Sequence, residues 1–281
     1  MEGAHLTADD ARALDEAVEL LENANLPVRI AALIGAPVGW SLARLPAQAA
    51  EAIRRASEKA ILAALKIAVA TVSAESPKPP RYRAHRIAAA ATGAAGGALG
   101  LPALAVELPV STMIMLRSIA EIARAQGEIV TLAEAQVAMV EVFALGRGLP
   151  QDDASQAGYY AVRAALAKAV SEAAAWIGHR GFVEESAPAI VRLVAAVGAR
   201  FGIAVSEKVA AQTVPVIGAL GGAAINWLFM DHFQSAAKGH FAVRRLDRVY
   251  GPDIVRAEYE RRATRPRGRR RAVEHHPPLP P

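Results

Sequence analysis

Asp231, His232 and His240 are the polar cluster best suited to chemistry, just beyond a long uncharged stretch. Together they offer the parts of a metal site or of a hydrolase that activates water. A metal site on one helix needs histidines three or four residues apart. His232 and His240 are eight apart, about 80° around a helix, and Asp231 and His240 fall on nearly opposite faces. One helix therefore cannot converge all three, and a site would need a carboxylate from elsewhere: Glu107, Glu121 or Glu141. Glu107 stands alone between apolar runs and between Pro102 and Pro109. A carboxylate there must pair, reach water or hold its proton, because burying it alone costs several kcal/mol. Two readings are open for it: a salt bridge, or an acid of raised pKa in a cleft. Asn226 is isolated among apolar residues in the same way and suits a role in packing register.

Other patterns carry less chemistry. GAAGGALG (93–100) has the look of a phosphate loop, but no strand precedes it and no Lys-Ser/Thr pair follows, so nucleotide binding is not expected. Arg117, Glu121, Arg124 and Glu128 step by four, three and four, the spacing of a salt-bridged helix face. The chain has no cysteine, which excludes disulfides, thiolate metal sites and cysteine nucleophiles. No cofactor or metal site is expected, and no catalytic set is assigned beyond the candidates Asp231, His232, His240 and Glu107.

The elements that must position these residues are helices. Alanine, the strongest helix former, occurs 65 times, and the apolar residues recur at steps of three and four. No stretch alternates with period two. The expected fold is all-α, a multi-helix bundle with two central Gly/Ala-rich apolar segments. Thr7 is placed to cap a first helix with Leu14, Val18 and Leu21 on one face. A long helix is expected from about Pro46 to Val72, and the Pro-rich SAESPKPP (73–80) reads as a linker between N-terminal helices (1–72) and a body (81–260). Within the body, helices are expected near 81–100, 103–108, 110–126, 131–146, 155–179, 187–206, 208–214 and 216–248, the last with a break near Gly239.

The two apolar segments are 87–106 and 209–230, neither of which holds a charge. Twenty uncharged residues is the nominal length of a membrane span. Pro102 and Pro215 cut each to about 15 residues, roughly 22 Å of helix, short of the roughly 30 Å hydrocarbon core. Half-depth hairpins and central helices of a soluble bundle both remain open. Gly93, Gly97 and Gly100 share one helical face, and Gly218 and Gly222 repeat the four-residue step. Clustered glycine at that spacing favours close backbone approach, in lipid or in a tight core, and the two segments are expected to pack on each other. With Trp227, these glycines are the expected contacts to membrane or to an apolar ligand.

Charge is distributed unevenly. The 32 Lys and Arg exceed the 27 Asp and Glu by five, with a pI near 9.7. Residues 261–281 hold seven arginines and one acid, Glu274, so they contribute +6 and residues 1–260 sum to −1. The body is balanced, and nucleic acid is not its expected partner. The tail, with Arg267, Arg269, Arg270 and Arg271 and a polyproline end, reads as disordered and suits an anionic surface, lipid or nucleic acid. The acidic, amphipathic N-terminus is no secretory signal, so residence in the cytoplasm is the default.

The stretch GAAGGALGLPALAVELPVSTMIMLRSIAEIARAQGE (93–128), followed by LAEAQVAMVEVFALG (132–146) and PVIGALGGAAINWLFMDHFQSAAKGHFAVRRLDRVYG (215–251), resembles the EcsC family of bacterial proteins over roughly residues 40–260. The resemblance implies a cytosol-facing helical protein, with a membrane protein such as an ABC transporter as partner, and supplies no catalytic residues. Three functions follow as expectations. The first is a non-catalytic protein on the cytosolic face of the membrane, attached by the two Gly-rich segments and the Arg-rich tail. The second is a peptidase-like hydrolase around Asp231, His232 and His240. The third is a bundle that encloses a hydrophobic ligand.

Overall fold

Helix start signals and apolar periodicity produce ten α-helices among the described residues of the computed structural model, which are 6–22, 26–35, 47–71, 79–99, 104–145, 158–181, 185–212 and 218–264. They are α1 (Ala8–Glu22), α2 (Leu26–Ile34), α3 (Ala47–Thr71), α4 (Tyr82–Leu99), α5 (Leu104–Ala125), α6 (Ala133–Leu145), α7 (Gly158–Arg180), α8 (Pro188–Gln212), α9 (Gly218–Tyr250) and α10 (Pro252–Ala263). No strand occurs among the described residues, and the protein is an all-α bundle. Thr7 caps α1 as expected: its Oγ1 accepts the Asp10 N–H at 3.2 Å and donates to the Asp10 carboxylate at 3.0 Å. Leu14, Val18 and Leu21 are buried.

Three helices are longer than the sequence pattern suggests. The expected break at Pro109 does not occur, and α5 runs through it. Proline there forfeits only the bond to the Ala105 carbonyl, in the second turn, where Ala105 and Val106 are exposed to water. Residues 187–206 and 208–214, expected as two helices, join in α8. α9 passes through Gly239 unbroken. That glycine serves the crossing with α1, since a Cβ there would lie 2.6 Å from Leu21 Cγ and 3.2 Å from the Ala17 carbonyl oxygen. α10 is an addition to the expected elements. It carries Arg261 and Arg262, which pair with Glu258 and, for Arg262, also with Asp15 at 2.9 Å. The basic tail thus begins two arginines later than residue 261, and Arg267, Arg269, Arg270 and Arg271 lie outside the described residues.

Helix directions follow from side-chain pairings. α4 runs antiparallel to α9: Asn226 bonds the Ala89 carbonyl, Arg86 meets Asp231, and Gln234 reaches the Tyr82 carbonyl. α5 runs parallel to α9, with Glu107, Ser118 and Glu128 facing Asn226, Gln234 and Arg244 in turn. The end of α4, the start of α5, the end of α8 and the start of α9 consequently lie at one end of the bundle. The two Gly-rich segments pack on each other, as expected. A Cβ on Gly93 would fall inside the van der Waals shell of the Gly222 carbonyl oxygen and 2.6 Å from Asn226 Cβ. The helix enclosed on every side is α6, buried without interruption from Ala135 to Leu145. Phe143 there meets Phe201 and Phe233 at ring-centroid distances of 5.2 and 5.4 Å, and Phe229 adds to the cluster. Leu14 and Ile61 from the N-terminal helices share this core, so the Pro-rich stretch links two parts of one core.

The α4–α9 crossing makes a directional prediction. Gly93→Ala gains helix propensity, yet its methyl meets backbone, so a net loss of about 1–3 kcal/mol is expected. At Gly178, an added Cβ makes only a 3.8 Å contact with Ala133 Cβ, and Ala should gain about 0.5–1 kcal/mol. Urea midpoints of the two variants should move in opposite directions.

Candidate functional site

Three polar groups occupy successive levels of α9. The first lies nearest the Gly-rich end, where Glu107 of α5, Lys208 of α8 and Asn226 of α9 converge in the interior. Lys208 is fully buried (0% exposed), and its Nζ donates to both Glu107 oxygens at 2.8 and 2.7 Å. Asn226 Nδ2 donates to Glu107 Oε1 at 2.7 Å and to the Ala89 carbonyl at 2.9 Å, and lies 3.1 Å from Thr92 Oγ1. Gly96 leaves room for the carboxylate, since a Cβ there would come 2.9 Å from Glu107 Cγ. Burial pushes the Lys208 ammonium pKa down, against the pull of the Glu107 charge. Of the two readings of Glu107, the ion pair is the one observed. Lys208 was visible in the sequence only as the boundary of the uncharged run 209–230.

At the second level Asp231 links two helices to α9. Its carboxylate meets Arg29 Nη2 of α2 at 2.7 Å and Arg86 Nη2 of α4 at 2.5 Å. Arg86 Nε also donates to Gln234 at 2.8 Å, and its guanidinium lies 5.8 Å from the Trp227 ring centroid. An open cleft of about 510 Å³ adjoins this level, lined by Arg29, Ala32, Leu33, Ala224, Trp227 and Leu228. His232, one residue on, is buried.

The third level holds His240, fully enclosed between α6, α7 and α9. Its Nδ1 lies 3.0 Å from the Tyr159 hydroxyl and its Nε2 4.0 Å from Glu141 Oε2. Burial, with Arg163 and Arg244 nearby, holds the imidazole pKa well below its usual range, while burial raises that of Glu141. Tyr159, Tyr160 and Tyr259 pack ring against ring at 5.0–5.4 Å, and the Tyr259 hydroxyl donates to Glu22. Glu22 also accepts the Gly158 and Tyr159 backbone N–H groups, and so caps α7 from α1.

Asp231 and His240 are therefore not brought together. Nine residues separate them, about 13 Å along the axis, and each is committed to different helices. Of the carboxylates considered as partners, only Glu141 approaches His240; Glu121 binds Arg81 and His85, and Glu107 binds Lys208. Two carboxylates of the ladder expected along α5 also reach beyond it. Glu121 accepts from the Arg81 backbone and side chain, and Glu128 pairs with Arg244 and Arg248 of α9. Among the described residues no three His, Asp or Glu side chains are grouped to hold a metal ion.

The remaining expected contacts concern the end of the bundle. Gly93 and Gly222 lie at the helix crossing. Gly100 and the surroundings of Gly97 and Gly218 fall outside the described residues. Segment 87–106 is shared between the end of α4 and the start of α5, and 209–230 between the end of α8 and the start of α9. The described helix long and apolar enough to cross a membrane is instead α8, over Pro188–Ala211. It buries Leu193, Val197, Phe201 and Val205 in the core, as a bundle helix does. Around the shared end the sequence is uncharged over 87–106, 108–116, 201–206 and 209–230, and Glu107, Glu207 and Lys208 are buried. The exposed side chains there include Leu220 (88%) and Val106 (70%), with Leu33, Val110 and Ile203 partly covered. Elsewhere, exposed apolar residues such as Val191 and Val249 sit beside Arg192 and Arg248.

Two outcomes are expected from the buried groups. Lys208→Met strands the Glu107 carboxylate and should cost about 3–5 kcal/mol, whereas adding Glu107→Leu should restore part of that loss; chemical denaturation of the single and double variants measures both. Keeping His240 neutral in the fold means that stability falls as pH drops below about 6.5, where the unfolded chain takes up the proton, by about 1.4 kcal/mol per pH unit. Glu141 acts in the opposite direction but is common to wild type and His240→Asn. The stability advantage of wild type over His240→Asn should therefore shrink between pH 7.5 and 5.5.

Comparison with curated proteins and with solved structures returns no significant match. The sequence profile of the EcsC protein family matches residues 21–246, from the last turn of α1 to the last turns of α9, and so includes all three polar levels. Covering most of the chain, that match establishes that the protein belongs to the EcsC family.

Proposed function

We propose that this protein is a non-catalytic accessory protein that docks on the cytosolic face of a bacterial membrane through the end of the bundle where α4 and α8 finish and α5 and α9 begin. The observation that carries the reading is the apolar face that α5 and α9 present at that end, with Leu220 and Val106 exposed. Large exposed apolar patches mark sites of protein or membrane interaction. The dimensions agree with docking rather than spanning. From Gly218 to Asp231, the first charge on α9, the helix rises about 20 Å, comparable to one leaflet and short of the roughly 30 Å core.

The Arg-rich tail supplies a second attachment. A basic residue near an anionic surface contributes about 1 kcal/mol, and two weak anchors hold where one does not. The hydrolase reading loses support because Asp231 and His240 face different helices and His240 is fully buried. A bundle enclosing a hydrophobic ligand is disfavoured by the centre itself, which the Phe143, Phe201, Phe229 and Phe233 rings fill. A membrane partner such as a transporter fits the same docked geometry.

Flotation with phosphatidylglycerol-containing vesicles tests this. The full chain should float, and Val106→Asp with Leu220→Asp should abolish flotation without loss of helicity, because both side chains are exposed. Replacing Arg267, Arg269, Arg270 and Arg271 by Gln should weaken binding by up to ~4 kcal/mol. Undiminished flotation of the Val106/Leu220 variant would refute docking through this end.

A further inference from the structure

The cleft between α2 and α9 lies where the uncharged part of α9 gives way to its first charge, and its lining changes character along that axis. Leu33, Ala224 and Leu228 form an apolar wall toward the end of the bundle, and Arg29 stands at the other limit beside Asp231. Two guanidiniums, Arg29 and Arg86, share the single Asp231 carboxylate, so the group carries an excess of one positive charge. Arg86 is committed, to Asp231, to Gln234 and over Trp227. Arg29 is different: its side chain is 42% exposed and lines the cleft, and it meets Asp231 through Nη2 at 2.7 Å. A guanidinium has five N–H donors in a fixed fork that matches phosphate oxygens.

From this arrangement we infer that the α2–α9 cleft binds one anionic phospholipid, its phosphate on Arg29 and its acyl chain along Leu33 and Leu228. The inference rests on the membrane-docking reading and deepens it by naming a headgroup site. The depth is consistent. Trp227 lies nine residues beyond Gly218, about 14 Å along α9, and half of the roughly 30 Å hydrocarbon core is ~15 Å. With that end of the bundle in one leaflet, Trp227 comes to the level where indole rings collect and Arg29 to the level of the phosphates. The cleft of about 510 Å³ accommodates part of one lipid rather than a folded partner. An apolar wall that ends in excess positive charge is complementary to an acyl chain that ends in a phosphate.

The test uses the full chain with Trp40→Phe and Trp176→Phe, leaving Trp227 as its sole tryptophan, and with the four tail arginines replaced by Gln. Binding is read by quenching of Trp227 in vesicles of brominated phosphatidylglycerol or brominated phosphatidylcholine, and by titration with monomeric dihexanoyl phosphatidylglycerol. Phosphatidylglycerol is expected to bind more tightly. Arg29→Gln should weaken it about fivefold, the effect of one basic charge near an anionic surface, and leave phosphatidylcholine unchanged. Arg29→Lys, which keeps the charge, should retain most of the affinity. Vesicle binding that is indifferent to headgroup and to Arg29→Gln would overturn the lipid site and leave membrane docking standing. Dihexanoyl phosphatidylglycerol binding without any vesicle binding would do the reverse. Equal losses in Arg29→Gln and Arg29→Lys would assign the arginine to packing and overturn the inference. So would a concentration-dependent Trp227 shift in lipid-free protein, which would make the cleft an interface between two copies.

Discussion

The carbonyl oxygen of Gly222 occupies the space in which a side chain at residue 93 would begin, and this close approach of α4 to α9 sets the rest of the bundle. Helices that come so near bring their neighbours with them. Asn226 can then reach the Ala89 carbonyl across the gap, Glu107 can reach Asn226, and Lys208 can close on Glu107 from α8. A buried ion pair adds little stability by itself, because desolvation offsets most of the Coulombic gain. Its effect is selective, since any other register of these four helices would leave a charge unpaired in an apolar interior.

The same crossing separates charge along the long axis. Below Asp231, carboxylates are tied to arginines on other helices: Glu121 to Arg81, Glu128 to Arg244 and Arg248, Asp10 to Arg245. Above it, Glu107, Glu207 and Lys208 are buried, and the described charges that reach water, Glu51, Arg54 and Arg55, belong to α3. Partly exposed interhelical pairs hold the lower half, whereas the upper half relies on close glycine contacts and one buried pair, Glu107 with Lys208. The exposed Leu220 and Val106 at that end are the physical content of the docking proposal. The His240 level serves a different purpose. Its tyrosines, together with Glu22 at the start of α7, join the N-terminal and C-terminal helices through buried and partly buried polar contacts.

Much of the fold was legible because it rests on local rules. Alanine content and three-four periodicity implied helices, Thr7 with Asp10 implied a cap, and glycine at four-residue steps implied that 87–106 and 209–230 would pack together. The errors came from local signals overruled by tertiary contact. Pro109 suggested a helix break and Gly239 another, yet each is absorbed: one sits in a second turn flanked by exposed residues, the other is needed where Leu21 crosses. The ladder over Arg117, Glu121, Arg124 and Glu128 had suitable spacing, but the spacing did not show that two of its carboxylates also meet Arg81 and Arg244.

The candidate site was legible only in fragments. By itself the sequence determined that Glu107 and Asn226 must find partners, that Asp231 and His240 cannot converge on one helix, and that positive charge gathers in the tail. These conclusions follow from desolvation cost, helical geometry and counting, none of which depends on where the chain goes. It could not say that Lys208 answers Glu107 across 101 residues of sequence, or that Arg29, Arg86 and Asp231 meet beside a cleft. Those pairings belong to the tertiary structure, because a partner distant in the chain is selected by which helix faces which, and that was decided by the backbone contact at Gly93 and Gly222.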